Sequence, residues 1–359
     1  MRSLLPAADR MVQHQPVTYR LDYRHYALPF LDARRTAHGV WREREGLILR
    51  LEGPPGQVGL GEVAPISWPG AETLAEAEAV LARLAGAVDA GSLAAIGERH
   101  GCVRFGLASA MDRHPPMPPA VQRLPVAALL PAGREALAAA ERAGRAGYTA
   151  FKWKVGVCDA VEELAMLDDL LARLPGQSQL RLDANGAWTS RLAVRWLERC
   201  TGRPIEFVEQ PCLAEPSAGA EGQRRAEDVL FGLARDYPTP IALDEAVAGI
   251  ASLQGWLQRG WPGIVVVKPA LAGVPRDVLA LLAAHHADVV FSSALETVVG
   301  RRAALRMAFQ FQGRQTRALG FGILPLFQDS RFDGMPAAPS MAAEEVGPPN
   351  LEAAWNALN

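Results

Sequence analysis

Two textures divide the chain. Up to about Pro65, polar and apolar positions alternate between turn residues. Leu47–Leu51 (LILRL) and Val58–Val63 read as strands flanking a turn at Gly53-Pro54-Pro55-Gly56. Thr73–Val88 is Ala-, Leu- and Glu-rich with a helical period, and helix is expected again through Ala95 and over Val103–Met111. Pro115-Pro116-Met117-Pro118-Pro119 then breaks any regular structure and marks a domain boundary. Strands followed by helices, without strand–helix alternation, predict a small α+β domain over residues 1–118.

Beyond the prolines, short β-branched and aromatic runs alternate with Ala/Leu/Arg-rich helical stretches. Strands are expected near Val126–Leu130, Ala150–Val155, Gln179–Asp183, Ile205–Glu209, Ile241–Asp244, Ile264–Lys268, Val289–Ser292 and Ala318–Phe321. The helices between them include Glu162–Leu174, Arg191–Arg199, Gln223–Arg235 and Arg276–His285. Eight such strands predict a closed parallel barrel over residues 119–330, although the pattern by itself also permits an open sheet. The less regular tail, residues 331–359, is expected to pack back on the first domain.

Composition narrows the function classes. With 49% hydrophobic and 21% charged residues the chain has the balance of a globular protein with a large core. A net charge of −2 provides no broad basic field, so neither nucleic acid nor an anionic membrane is an expected partner. No apolar run approaches the roughly 18–20 residues of a membrane helix. Residues 1–16 lack the apolar stretch of a signal peptide, and Met11 is a second possible start. Cys102, Cys158, Cys200 and Cys212 are scattered, which reads as reduced thiols in the cytoplasm and not as a disulfide framework or a zinc site. The sequence specifies no oligomeric state.

The chemistry sits at strand ends. Lys154, Asp183, Glu209, Asp244 and Lys268 each close an apolar run, spaced by 24 to 35 residues, the length of one strand plus one helix. In a barrel those ends share one mouth. Lys152 and Lys154 are two apart, so on a strand both face the same side, and each lowers the other's tendency to stay charged. A lysine so placed can act as a base near neutral pH. Asp183, Glu209 and Asp244 are hard oxygen donors suited to Mg²⁺; a single one could equally cap a helix, but three in succession favour a shared metal. Lys268, across the barrel from Lys154, completes a pair suited to proton transfer next to a carboxylate. A metal-free barrel in which Lys154 forms a Schiff base would use the same lysine, and a non-catalytic scaffold would use none.

Phe151–Gly156 (FKWKVG), Leu182–Trp188 (LDANGAW), Phe207–Pro211 (FVEQP), Leu243–Ala246 (LDEA) and Val267–Pro269 (VKP) together resemble the enolase superfamily, in its muconate-lactonizing subgroup. The resemblance implies a (β/α)8-type barrel, modified to (β/α)7β, beneath an N-terminal capping domain, with Mg²⁺ on Asp183, Glu209 and Asp244. It implies that Lys154 is the base and then the acid on one face, that Lys268 steadies an enediolate, and that Lys152 tunes Lys154. Asn185 and Glu245 would orient the ligands. Ser292, Ser293, Glu296 and Thr297, with Gly300, are similar to the substrate-carboxylate loop of the subgroup's dehydratases, which serve menaquinone and phylloquinone synthesis; Ala318–Gly322 is similar to their last strand. A small anionic substrate follows. Racemases of N-acylamino acids and dipeptide epimerases share the five residues, but the Asp-x-Asp of epimerases is missing from Gly320–Leu326. Gln210 departs from the Glu common in relatives, which removes one charge beside the metal. The Arg-rich stretch Leu31–Val40 is expected to be a loop able to close over an anion, and His285-His286 to be a solvated helix end.

Overall fold

A computed structural model describes residues 17–36, 39–54, 56–66, 68, 71–111, 123–311, 317–323, 325–346 and 351–358. The first domain begins with a long hairpin, β1 (Tyr19–Thr36) against β2 (Gly39–Gly53), followed by β3 (Gln57–Val63), α1 (Leu74–Arg83), β4 (Ala87–Val88), α2 (Ala90–Ala95) and α3 (Gly101–Met111). Its four strands run β3-β2-β1-β4, and every pairing is antiparallel. The proline run that marks the sequence boundary lies outside the described residues, as does Pro55 of the expected turn.

The period-two signal of β1 is present but shifts phase in its middle. Leu21 and then Tyr26, Leu28 and Phe30 are buried, whereas Tyr23 and Arg24 are only half-buried. The sequence reading therefore missed it. Of Leu31–Val40, read as a loop, the described residues instead belong to the hairpin, with β1 running to Thr36 and β2 starting at Gly39.

The second unit follows the expected alternation. Its elements are β5 (Arg123–Leu130), α4 (Glu135–Arg145), β6 (Ala150–Lys154), α5 (Ala160–Leu171), β7 (Gln179–Asp183), α6 (Ser190–Cys200), β8 (Ile205–Glu209) and α7 (Gly219–Asp236). Then come β9 (Ile241–Leu243), α8 (Ile250–Gln258), β10 (Ile264–Val267), α9 (Pro269–Ala272), α10 (Pro275–Ala284), β11 (Asp288–Phe291), α11 (Val298–Gln310) and β12 (Leu319–Gly322). Parallel pairing runs β11-β10-β9-β8-β7-β6-β5-β12, and a parallel bridge from Ser292 to Gly320 joins the two ends. The open-sheet alternative is thus excluded. Among the described residues no α-helix follows β12 before β13 (Ser340–Ala342), so the barrel is (β/α)7β. β13 pairs antiparallel with β5, and α12 (Leu351–Asn356) brings Trp355 under Arg24 of β1, 4.1 Å from guanidinium to ring.

Alternation along the strands builds two cores. Phe151 and Trp153 are fully buried, and Trp153 packs edge-on against Trp196 of α6. Lys152 and Lys154 consequently point the other way, into the barrel. Phe207, Ala242, Ile264, Val266 and Val290 form a separate buried cluster. Phe207, Ala242 and Val266 stand two positions before Glu209, Asp244 and Lys268, so an apolar layer inside the barrel supports the charged one.

Candidate active site

The strands deliver the charged residues to one mouth in strict register. Lys154 pairs with Asp183, and Asp183 with Glu209, on adjacent parallel strands. Asp244 and Lys268 follow the last residues of β9 and β10. β6 and β10 stand four strands apart in the eight-stranded ring, so Lys154 and Lys268 face each other across it.

Lysines lie between the carboxylates. Lys152 Nζ is 2.8 Å from Asp183 and 2.7 Å from Glu209, and Lys268 is ion-paired to both oxygens of Asp244. Trp68 of the first domain lies over the Lys268 ammonium, 4.5 Å from ring centroid to Nζ, a contact worth about 0.5–2 kcal/mol. Among the described residues no three acidic, His or Cys groups stand close enough together to enclose a metal ion by themselves.

The donor set nonetheless fits a divalent cation. Asp183, Glu209 and Asp244 are all buried, and uncompensated negative charge at such depth is costly. The Glu209 carboxyl is pushed up to about 8 by burial, with Asp183 and Asp244 adding to the effect. Glu245 is pushed up to about 7 by burial and then by Asp244. Two buried oxygens beside these carboxylates, Asn185 Oδ1 and Glu245 Oε2, have no hydrogen-bond partner. Hard oxygen donors, excess negative charge and orphaned acceptors together match Mg²⁺ chemistry.

The two lysines of β6 differ in kind. Burial alone would lower the Lys152 pKa, but Asp183, Glu209 and Asp244 together outweigh it and raise it. The Lys154 ammonium is held below its usual range by burial, with Lys152 and Lys268 pushing the same way against Asp183. Lys152 is thus a fixed counter-charge, and Lys154 the amine that gives up its proton more readily.

Surrounding groups fix this arrangement. Glu163 of α5 accepts from the amides of Gly156, Val157 and Cys158, which shapes the turn after Lys154. Asn185 Nδ2 donates to Glu245 at 3.1 Å, and the Asn185 amide donates to Asp183. Gln210, overlooked as a mere substitution, is fully buried: its Oε1 accepts from the amides of Asp244 and Ala246, and its Nε2 donates to the Cys212 carbonyl. An amide does both, whereas an ionised carboxylate in its place could only accept. Asn185 and Gln210 both hold positive φ, 46° and 36°, a strained backbone of the kind that collects at functional sites.

The loop after β11 is also preformed. Ser292 Oγ donates to the Gly320 carbonyl. Ser293 Oγ donates to Glu296 and accepts from the Leu295 amide. Glu296 also accepts from the Ala294 amide, and Thr297 caps α11 by accepting from Val299 N at 3.2 Å. These four side chains are engaged in shaping the loop. His285 and His286 are exposed at the end of α10.

A lysine pair across a carboxylate-ringed barrel mouth, under an α+β cap, defines an enolase-type enzyme. Residues 135–339 match the model of the enolase C-terminal domain-like family. An o-succinylbenzoate synthase of Thermosynechococcus vestitus is 42% identical over 310 residues, covering 85% of this chain and 92% of that one. The o-succinylbenzoate synthase of Yersinia enterocolitica is 32% identical, covering 79% and 84%. The crystal structure of the Thermosynechococcus elongatus synthase, complexed with Mg in its active site, superposes with a TM-score of 0.78 at 36% identity, covering 94% of this chain and 99% of that one. The L-Ala-D/L-Glu epimerase of Bacillus subtilis shares the fold, with a TM-score of 0.75 at 20% identity. The chain belongs to the o-succinylbenzoate synthase family of the enolase superfamily.

Proposed function

We infer that the chain is a Mg²⁺-dependent lyase that dehydrates 2-succinyl-6-hydroxy-2,4-cyclohexadiene-1-carboxylate to o-succinylbenzoate, a step of menaquinone or phylloquinone synthesis. The observation that carries this reading is the opposed pair Lys154 and Lys268 over three buried carboxylates, in a chain that matches synthases along most of its length. Asp183, Glu209 and Asp244 would hold Mg²⁺, oriented by Asn185, Glu245 and Gln210. When bound, the ion supplies positive charge beside the substrate carboxylate.

The rest is work for the chain's own residues. Lys154, whose proton burial makes easier to lose, takes the proton from the carbon bearing the carboxylate. The C–H electron pair moves into that carboxylate, giving an enediolate, and Lys268 steadies its charge as a stationary ammonium. Return of the electron pair expels the ring hydroxyl. Lys154, now protonated, donates its proton to that leaving oxygen on the same face, so water departs and the ring becomes aromatic. Lys152 keeps its proton and stays as counter-charge to Asp183 and Glu209. The Ser292–Thr297 loop would face the remote succinyl carboxylate and set where it lies.

All four cysteines are free, and no helix among the described residues is long and apolar enough to cross a membrane; we place the enzyme in the cytoplasm, acting on a small anion. The test is an absorbance assay with the cyclohexadiene substrate, with Mg²⁺ and then with excess EDTA. Loss of the diene and appearance of o-succinylbenzoate, abolished by EDTA, is the expected result. Turnover of N-succinylamino acids alone would move the reading to a racemase.

A further inference from the structure

Glu62 belongs to β3 of the first domain, yet its carboxylate is seated at the start of α11 in the barrel. It is 1% exposed. Its hydrogen bonds all come from donors: the Tyr26 hydroxyl at 2.5 Å, the Thr297 amide at 3.0 and 3.1 Å, the Thr297 hydroxyl, and the Gly300 amide at 2.8 Å. Thr297 is the residue before α11 and Gly300 its third residue, so Glu62 takes amides that the helix itself leaves unpaired. Its negative charge also suits the positive end of the helix.

In a capping box the acid comes from the third position of the same helix. Here that position is Gly300, which has no side chain. A Cβ at Gly300 would lie 2.8 Å from Glu62 Oε2. The acid missing from the helix is supplied by the other domain, into the space the glycine leaves.

Arg44 complements this from β2. Its guanidinium donates to the Ala294 and Leu295 carbonyls of the loop, and to the Ala64 and Pro65 carbonyls just after Glu62. It too is 1% exposed. Glu62 thus takes the donors where the loop joins its helix, and Arg44 takes the loop's acceptors. The bonds inside the loop fix its shape; these two side chains fix where it stands relative to the cap.

We propose that Glu62 is a positioning residue, which sets the pose of the Ser292–Thr297 loop and through it the grip on the substrate's remote carboxylate. This rests on the reading of that loop as a substrate loop. Glu62→Gln keeps length and shape but turns an amide N–H₂ against a ring of donors. KM should rise about tenfold while kcat stays within about threefold. Mg²⁺ affinity, read by calorimetry, should not change, and amide exchange over residues 293–300 should accelerate. Gly300→Ala, whose Cβ would meet Glu62 Oε2 at 2.8 Å and Glu296 Cβ at 3.1 Å, should reproduce both effects. Tyr26→Phe, which removes the hydroxyl that donates to Glu62 and keeps the ring, should lower Tm and leave KM near wild type.

Unchanged KM and exchange in both Glu62→Gln and Gly300→Ala would overturn the proposal. So would a KM that tracks Tm loss equally in Tyr26→Phe, since that marks a purely structural contact. If Glu62→Gln does not fold, Glu62→Asp, one methylene short of spanning both domains, takes the same measurements. The exchange readout needs no turnover. A wild-type protein inactive on the diene would therefore remove the substrate reading, while the clamp is judged separately.

Discussion

Lys152 and Lys154 share a strand face, and their difference comes from what stands opposite. Two carboxylates bracket Lys152 within hydrogen-bond reach and hold its proton, whereas burial and two neighbouring ammonium groups act against the proton of Lys154. Lys154→Ala should therefore lower kcat by about 10²–10⁴, the range of a general acid–base residue. The rise in Tm on adding Mg²⁺ should survive, because the carboxylates remain. Wild-type turnover in this variant would sink the mechanism. Gln210 bears on the metal side of the site. Gln210→Leu leaves the amides of Asp244 and Ala246 without their acceptor, at about 1–3 kcal/mol for each buried group. Lower Tm and weaker Mg²⁺ binding by calorimetry should appear together; a fall in Tm with unaltered Mg²⁺ affinity would mean that Gln210 does not steady Asp244. At this scale the sequence was legible where charge stood out. Five ionisable residues ending apolar runs announced themselves. Gln210 and Glu62 did not, because their roles depend on partners 36 and 235 residues away in the chain.

The barrel strands were legible as elements because β-branched runs buried on both sides leave a dense apolar signature, and observed ends fall within a few residues of those expected. β1 was not, because its tyrosines and charged residues change phase midway. α9 was also missed, since a four-residue turn leaves no period to read. That turn matters because it follows Lys268 directly. Gly101, at the start of α3, lies so close that a Cβ would meet the Leu271 carbonyl at 2.1 Å. Neither partner can yield easily, both being backbone of buried helices. Gly101→Ala should cost about 1–3 kcal/mol through overpacking and should lower kcat as well, since the displaced turn carries Lys268. Thermal melts beside steady-state kinetics check this; a melt shifted with kcat intact would show that α3 stabilises α9 without placing the lysine.

The two ends of the barrel treat charge in opposite ways. At the mouth, acids exceed what the lysines neutralise, and polar atoms stay unpaired. At the other end, where strands begin, Arg181 and Arg317 both pair with Glu206, Arg317 also binds Asp288, and Arg181 donates to the Ala318 carbonyl. This second network lies beneath the apolar layer of Phe207 and its neighbours, with Arg181 4.9 Å from the Phe207 ring. Barrels place function at the ends where strands finish and stability at the ends where they start. The sequence showed the first because its charges close the strands in succession; Arg317 and Asp288, 29 residues apart, meet only where the fold brings them together. Arg317→Met should separate the two ends. Breaking this pair should cost about 3 kcal/mol, the low end for a buried ion pair because Asp288 stays partly in water. Tm should drop, while kcat, KM and Mg²⁺ affinity of the folded enzyme stay within about twofold of wild type. A loss of kcat without a loss of Tm would mean that the closed end is coupled to the chemistry through the apolar layer between them.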